Sequence, residues 1–156
     1  MTDIDMKISV ERTIDASAKE IFAVLSNPER HHQLDGSDTV RSDEKSDRIT
    51  ATGQVFTMNM YAEHMGGDYK TDNHVTGYDE NKLLAWQTTG PGREPMGWEW
   101  LWELEAQGPE STLVRETYDW SKVTDKAILG RISFPLVSKD EMEATLAKLA
   151  EAVSGS

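Results

Sequence analysis

The chain has 156 residues, of which 37% are hydrophobic and 28% charged, and it contains no cysteine. That is the composition of an ordinary globular domain, long enough to bury roughly 70% of its unfolded surface without disulfides or a structural metal. The missing thiols exclude a cysteine nucleophile, a CxxC redox pair and a cysteine zinc site. Lys and Arg number 16 against 28 Asp and Glu, a net charge of −12, which opposes nucleic acid and anionic membrane surfaces as partners.

The start, Met1 to Lys7, has neither a cationic run nor an apolar stretch of signal-peptide type, and nowhere do eighteen apolar residues follow one another. This reads as a cytoplasmic protein with no membrane insertion. No internal period or Ser/Gly/Pro-rich linker divides it, so residues 1–156 are expected to form a single domain ending in a frayed Ser154-Gly155-Ser156 tail.

Met6 to Ile14 alternates apolar and polar residues with the period of a half-buried strand. Ser17 and Glu20 then form a capping-box pattern ahead of Ile21, Phe22, Val24 and Leu25, predicting a helix that ends at Asn27-Pro28. Proline at a first helical position predicts a second short helix to about Gln33, stopped by the polar run Asp35 to Asp38. From Thr39 to Trp120 the chain reads almost wholly as strands, about six of them. The turn signals are Asp43-Glu44, Gly66-Gly67, Asp79 to Lys82, Gly90 to Pro95 and Gly108-Pro109. Connections this short give an antiparallel meander. Tyr118 to Phe134 carries no clear period. A second capping box, Ser138 and Glu141, opens a C-terminal helix whose Met142, Leu146, Leu149 and Val153 form one stripe. The fold class is therefore α+β, a curved antiparallel sheet of six to seven strands wrapped around a long C-terminal helix. A gap between sheet and helix would be a pocket.

Three strands carry the candidate site. Trp98, Trp100 and Trp102 alternate with Glu99, Leu101 and Glu103, which puts three indoles on one face and the carboxylates on the other. Trp86 and Trp120 are expected on the indole face. The stripe fits a packed core or the wall of a cavity, and buried indole N–H groups need acceptors in either case. Phe56, Met58 and Met60 form the apolar face of another strand, suited equally to gap filling and to a plastic hydrophobic pocket. On a third, Val114, Glu116, Tyr118 and Trp120 share a face opposite Arg115, Thr117 and Asp119. If the Val114 face points inward, Glu116 is a buried carboxylate, either hydrogen-bonded in a structural network or poised as an acid or base. Met142 and Leu146 would close the cavity from the helix.

The four histidines, His31, His32, His64 and His74, read as solvated or capping residues, with His64 on a rim. No HExxH or HxH spacing exists, and adjacent helical residues diverge by about 100°, so no metal and no other cofactor is expected. Phosphate-cradling glycine motifs and the GxSxG elbow are absent as well.

Four segments carry a family resemblance: VERTIDASAKEIFAVLSNP over residues 10–28, HQLDGSDTV over 32–40, KLLAW over 82–86 and ATLAKLA over 144–150. Together they resemble the START-like (SRPBCC) superfamily, in its polyketide cyclase/dehydrase branch and of actinobacterial type. The resemblance spans nearly the whole chain and implies a helix-grip fold with a hydrophobic cavity, while leaving the chemistry open, because that scaffold serves carriers, cyclases and co-chaperones alike. Three functions follow. The first is a binding protein for a small hydrophobic or aromatic molecule, lipid or polyketide-like, lined by Phe56, Met58, Met60, Trp86, Trp98, Trp100, Trp102, Val114, Glu116, Tyr118, Met142 and Leu146. The second is an enzyme of cyclase, aromatase or dehydratase type in which Glu116, Tyr118, Arg115 or His74 moves protons. The third is a protein-interaction module. Oligomeric state, monomer or dimer, is not encoded in any heptad or exposed apolar repeat.

Overall fold

The computed structural model describes residues 6–36, 39–44, 47–131 and 137–154. The chain runs β1 (Lys7–Ile14), α1 (Ala18–Leu25), a 3-10 helix (Pro28–Gln33), β2 (Val40–Asp43), β3 (Val55–Ala62), a one-turn 3-10 helix (Glu63–Met65), β4 (Gly67–Asp79), β5 (Leu83–Thr89), β6 (Glu99–Gly108), β7 (Ser111–Asp119), α2 (Lys126–Arg131) and α3 (Lys139–Ser154). Among the described residues no helix is long and apolar enough to cross a membrane. The frayed tail at Gly155 and Ser156, and part of the stretch with no clear period, lie outside the described residues.

All seven strands form one antiparallel sheet in the order β1-β7-β6-β5-β4-β3-β2. The meander β2 to β7 follows chain order, and β1 returns to pair with β7, eight residues in register from Lys7 opposite Asp119 to Ile14 opposite Thr112. Register shifts at Val40/Ser42, Val75/Gly77 and Ala106/Gly108 interrupt the ladders, the device by which antiparallel sheets bend.

The second capping box closes in both directions, and the first shows its N-cap bond. Ser17 Oγ accepts from Glu20 N at 3.1 Å; Ser138 Oγ accepts from Glu141 N at 3.1 Å while Glu141 Oε1 accepts from Ser138 N at 2.9 Å. The stripe on α3 is buried at each of its four positions, Met142, Leu146, Leu149 and Val153. That stripe packs against β1, β7, α1 and the Pro28–Gln33 helix. The second helix is 3-10 rather than α, capped by Asn27 Oδ1 on Glu29 N at 3.2 Å.

The connection after β2 departs from the expected unbroken run of strands. Residues 47–54 are irregular because Ile49 is drawn into the core and its N–H donates to Ser26 O at the end of α1 at 2.8 Å. The loop is organised by Gln54, whose Oε1 accepts from Thr50 N and Ala51 N at 2.6 and 2.9 Å. Two glycines lock the remaining loops. A Cβ on Gly36 would stand 2.3 Å from Glu141 O on α3, and one on Gly97 would stand 2.5 Å from Lys122 O. Only glycine permits these approaches, and they pin the loop before β2 to α3 and the loop before β6 to the segment after β7.

Candidate functional site

Strand pairing orders the inner face of the sheet into rows. Val75, Trp86, Trp100, Tyr118 and Ile8 face one another across β4, β5, β6, β7 and β1; beside them run Leu84, Trp102, Glu116 and Val10. Residues paired across antiparallel strands share a face, so the indoles and Glu116 all point toward α3. Trp100 stacks on Tyr118 with ring centroids 4.3 Å apart, and Tyr118 leans on Trp120 at 5.4 Å. Trp98 lies just before β6 and, like Trp86 and Trp100, is only partly buried.

The β3 side of the face is aromatic too. Phe56 and Met58 are buried, Met60 partly so. Phe56 meets Trp86 edge to face at 5.4 Å, and His31 stacks on Trp86 at 5.3 Å while touching Phe56 at 5.4 Å. Of the two expected alternatives, solvated or capping, His31 is therefore not solvated. Its ring is buried, Nε2–H donates to Leu25 O at 2.7 Å, and burial holds its pKa below the ordinary value. No periodicity marks it, because its role comes from a 3-10 helix folded over the sheet. His32 is exposed, as expected; the side chain of His64 lies outside the described residues.

Glu116 is the chemically unusual group. It is 4% exposed, walled by Val114 and Tyr118 along β7 and by Trp102 and Val10 on the neighbouring strands. Burial first, and the Asp35 carboxylate second, push its pKa up to about 8. Its Oε1 and the Nε1 of the adjacent Trp102 are both buried and meet no protein partner. Burial first, and Asp35 second, raise Tyr69 as well, so the Asp35 carboxylate acts on both groups. Asp35 itself is held firmly, its Oδ2 accepting from Thr39 N and Val40 N at 2.8 Å each and its carbonyl from Lys148 Nζ at 3.0 Å.

The four candidate proton-moving residues do not come together. Glu116 and Tyr118 face inward; Arg115 and His74 face outward, because β-strand neighbours alternate. Arg115 is exposed and paired with Glu11 and, at 3.6 Å, with Glu103. His74 is aligned with Val55 and Gln87, its buried Nε2 without a partner. Any chemistry at Glu116 is therefore separated from both by the sheet itself. Of the candidate lining residues, Phe56, Met58, Trp102, Val114, Glu116, Tyr118, Met142 and Leu146 are buried, whereas Met60, Trp86, Trp98 and Trp100 keep part of their surface open. A depression of about 420 Å³ beside β2, β3 and β4 is lined by Arg41, Asn59, Met60, Asp68, Tyr69 and Lys70. Tyr69 links it electrostatically to Asp35, though it does not reach Glu116. Among the described residues no group of three or more His, Asp and Glu is placed to hold a metal ion.

Solved structures with this architecture include a protein from Arthrobacter aurescens (TM-score 0.71, 13% identity, 99% of this chain and 91% of that one). They also include Ms6760 from Mycobacterium smegmatis (TM-score 0.65, 11% identity, 96% and 92%) and the Aha1 dimer from Colwellia psychrerythraea (TM-score 0.57, 22% identity, 94% and 95%). At these identities the likeness establishes the helix-grip fold alone. A relative in Mycobacterium tuberculosis, "Uncharacterized protein Rv0088", is 32% identical over 149 residues, 93% of this chain; the chain spans 63% of that protein's length. The model of the family described as polyketide cyclase / dehydrase and lipid transport matches residues 5–154, and the chain belongs to that family.

Proposed function

We propose that the protein binds a small hydrophobic or aromatic molecule, lipid-like or polyketide-like, against the inner face of the sheet. The observation that carries this reading is the aromatic wall of Trp86, Trp98 and Trp100, inward-facing yet only partly buried where α3 does not cover it. Each indole offers on the order of 200 Å² of surface, and the part left open is apolar area that a ligand can cover. The family description supports the same ligand class.

The test is native mass spectrometry of the purified protein, then solvent extraction and small-molecule mass spectrometry. A retained apolar compound is expected. An empty protein that also ignores a panel of fluorescent apolar probes would remove the reading. Trp100→Ala should weaken probe binding about tenfold, equivalent to about 1.4 kcal/mol, with a proportionally smaller effect on Tm; equal losses in both would assign the indole to the core.

One observation favours a second reading, catalysis of cyclase or dehydratase type. A carboxyl with a pKa of about 8 holds its proton at neutral pH and can deliver it to a substrate in the cavity, the requirement for a general acid. In that reading Glu116→Gln abolishes turnover of a polyketide-like substrate and leaves its binding intact.

A further inference from the structure

Trp102 and Glu116 are paired across β6 and β7 with their side chains on the same inward face, and each buries a polar atom, Nε1 and Oε1, that no protein group meets. An indole N–H and a carboxyl oxygen left unpaired in a protein interior each cost free energy until something pairs with them. They stand side by side in the row next to the partly open Trp86 and Trp100, on the same face and two residues along each strand. Building on the ligand-binding reading above, we propose that Trp102 and Glu116 form a polar subsite at the floor of the cavity that takes a neutral hydroxyl, an alcohol or phenol, on an otherwise apolar ligand.

Donor and acceptor inventory selects the hydroxyl. The indole nitrogen only donates, so the incoming group must accept. An ammonium has no lone pair to offer and leaves Trp102 unmet. A carboxylate accepts, but it would bring a second negative charge into a low-dielectric space that already feels the Asp35 carboxylate. A hydroxyl accepts from Trp102 Nε1–H and in the same position donates to Glu116 Oε1. It also serves either protonation state of Glu116, because a hydroxyl can donate to a carboxylate or accept from a carboxylic acid.

Equilibrium dialysis at neutral pH with naphthalene, 2-naphthol and 2-naphthoate tests this, since the three share one ring system and differ only in the polar group. 2-Naphthol should bind about tenfold more tightly than naphthalene, the effect of one or two buried hydrogen bonds, and more tightly than 2-naphthoate. Trp102→Phe keeps an aromatic ring but removes the N–H, and Glu116→Leu removes the carboxyl. Each should erase the preference for 2-naphthol while leaving naphthalene within about twofold, and the thermal melts of both variants confirm that they fold. Equal binding of naphthalene and 2-naphthol by the native protein, or a preference that survives both variants, would overturn the subsite while the ligand cavity stands. Tightest binding by 2-naphthoate would overturn the hydroxyl assignment. If none of the three probes binds, the cavity reading itself falls and the subsite with it.

Discussion

Over β1 and β7 the inner face of the sheet is sealed by α3: Val114, Met142 and Leu149 have no exposure at all, and Leu146 and Tyr118 have 1%. Over β5 and β6 the same face buries Leu84 and Trp102 but leaves Trp86 and Trp100 partly open, with the 3-10 helix bringing His31 onto Trp86. One long helix of about 10 Å diameter cannot cover a seven-stranded sheet whose strands lie about 4.8 Å apart. It therefore grips one side and leaves the other to be filled by aromatic bulk or by something that is not protein. The first half should behave as core and the second as wall. Leu146→Ala on the sealed side should cost about 3 kcal/mol of stability, the usual range for a fully buried leucine. A loss under about 1 kcal/mol by urea denaturation would mean that the helix can collapse into the gap and that the two halves are not mechanically distinct.

The boundary between the halves passes through Glu116, and its titration sharpens the comparison. The folded-state pKa of about 8 lies above the ordinary 4.5, so the folded protein holds this proton more tightly than the unfolded chain. Its contribution to stability is complete below pH 4.5 and is lost as the pH rises toward 8, at about 1.4 kcal/mol per unit. Glu116→Gln does not titrate. The stability of the variant relative to the native protein should therefore grow by about 2 kcal/mol between pH 5.5 and 7. His31 acts with the opposite sign: its lowered pKa makes its contribution fail as the pH drops below 6.5, but it is common to both proteins and cancels in the difference. A pH-independent difference would mean that water reaches the carboxyl and that the floor of the cavity is open.

The architecture was readable from local pattern because local pattern decides it. Ser17 with Glu20 and Ser138 with Glu141 are short-range hydrogen-bond pairs, and the α3 stripe needs only the helical period. The alternation on β7 likewise put Glu116 with Val114 and Tyr118, and the structure resolves the open question of which face turns inward. Three things could not be read. His31 enters the core through a helix folded across the sheet, and no neighbour in sequence records Phe56 or Trp86. Ile49 is buried by a loop whose path is set by a bond to Ser26, 23 positions earlier. The separation of His74 from Glu116 required the pairing registers of β4 through β7, which strand composition leaves free.

Arg115 and Glu116 are adjacent in sequence, yet the pleat sends one to water and the other to the interior, and this gives the comparison its smallest and most discriminating test. The Arg115 guanidinium is exposed, meeting Glu11 on β1 and Glu103 on β6 across the outer face. Exposed pairs of this kind are screened by salt and add little to stability. Arg115→Ala should therefore leave Tm unchanged within error in physiological salt, and it should leave the affinity for 2-naphthol unchanged as well, because the sheet stands between this side chain and the proposed subsite. A loss of probe affinity with an intact melt would show that the outer face communicates with the inner one through β7. A fall in Tm that disappears at high salt would show instead that the charge row from Glu11 through Arg115 to Glu103 fastens the edge strand β1 to the sheet. Neither outcome is expected from a strand whose two faces are independent, and only the first would require redrawing the site.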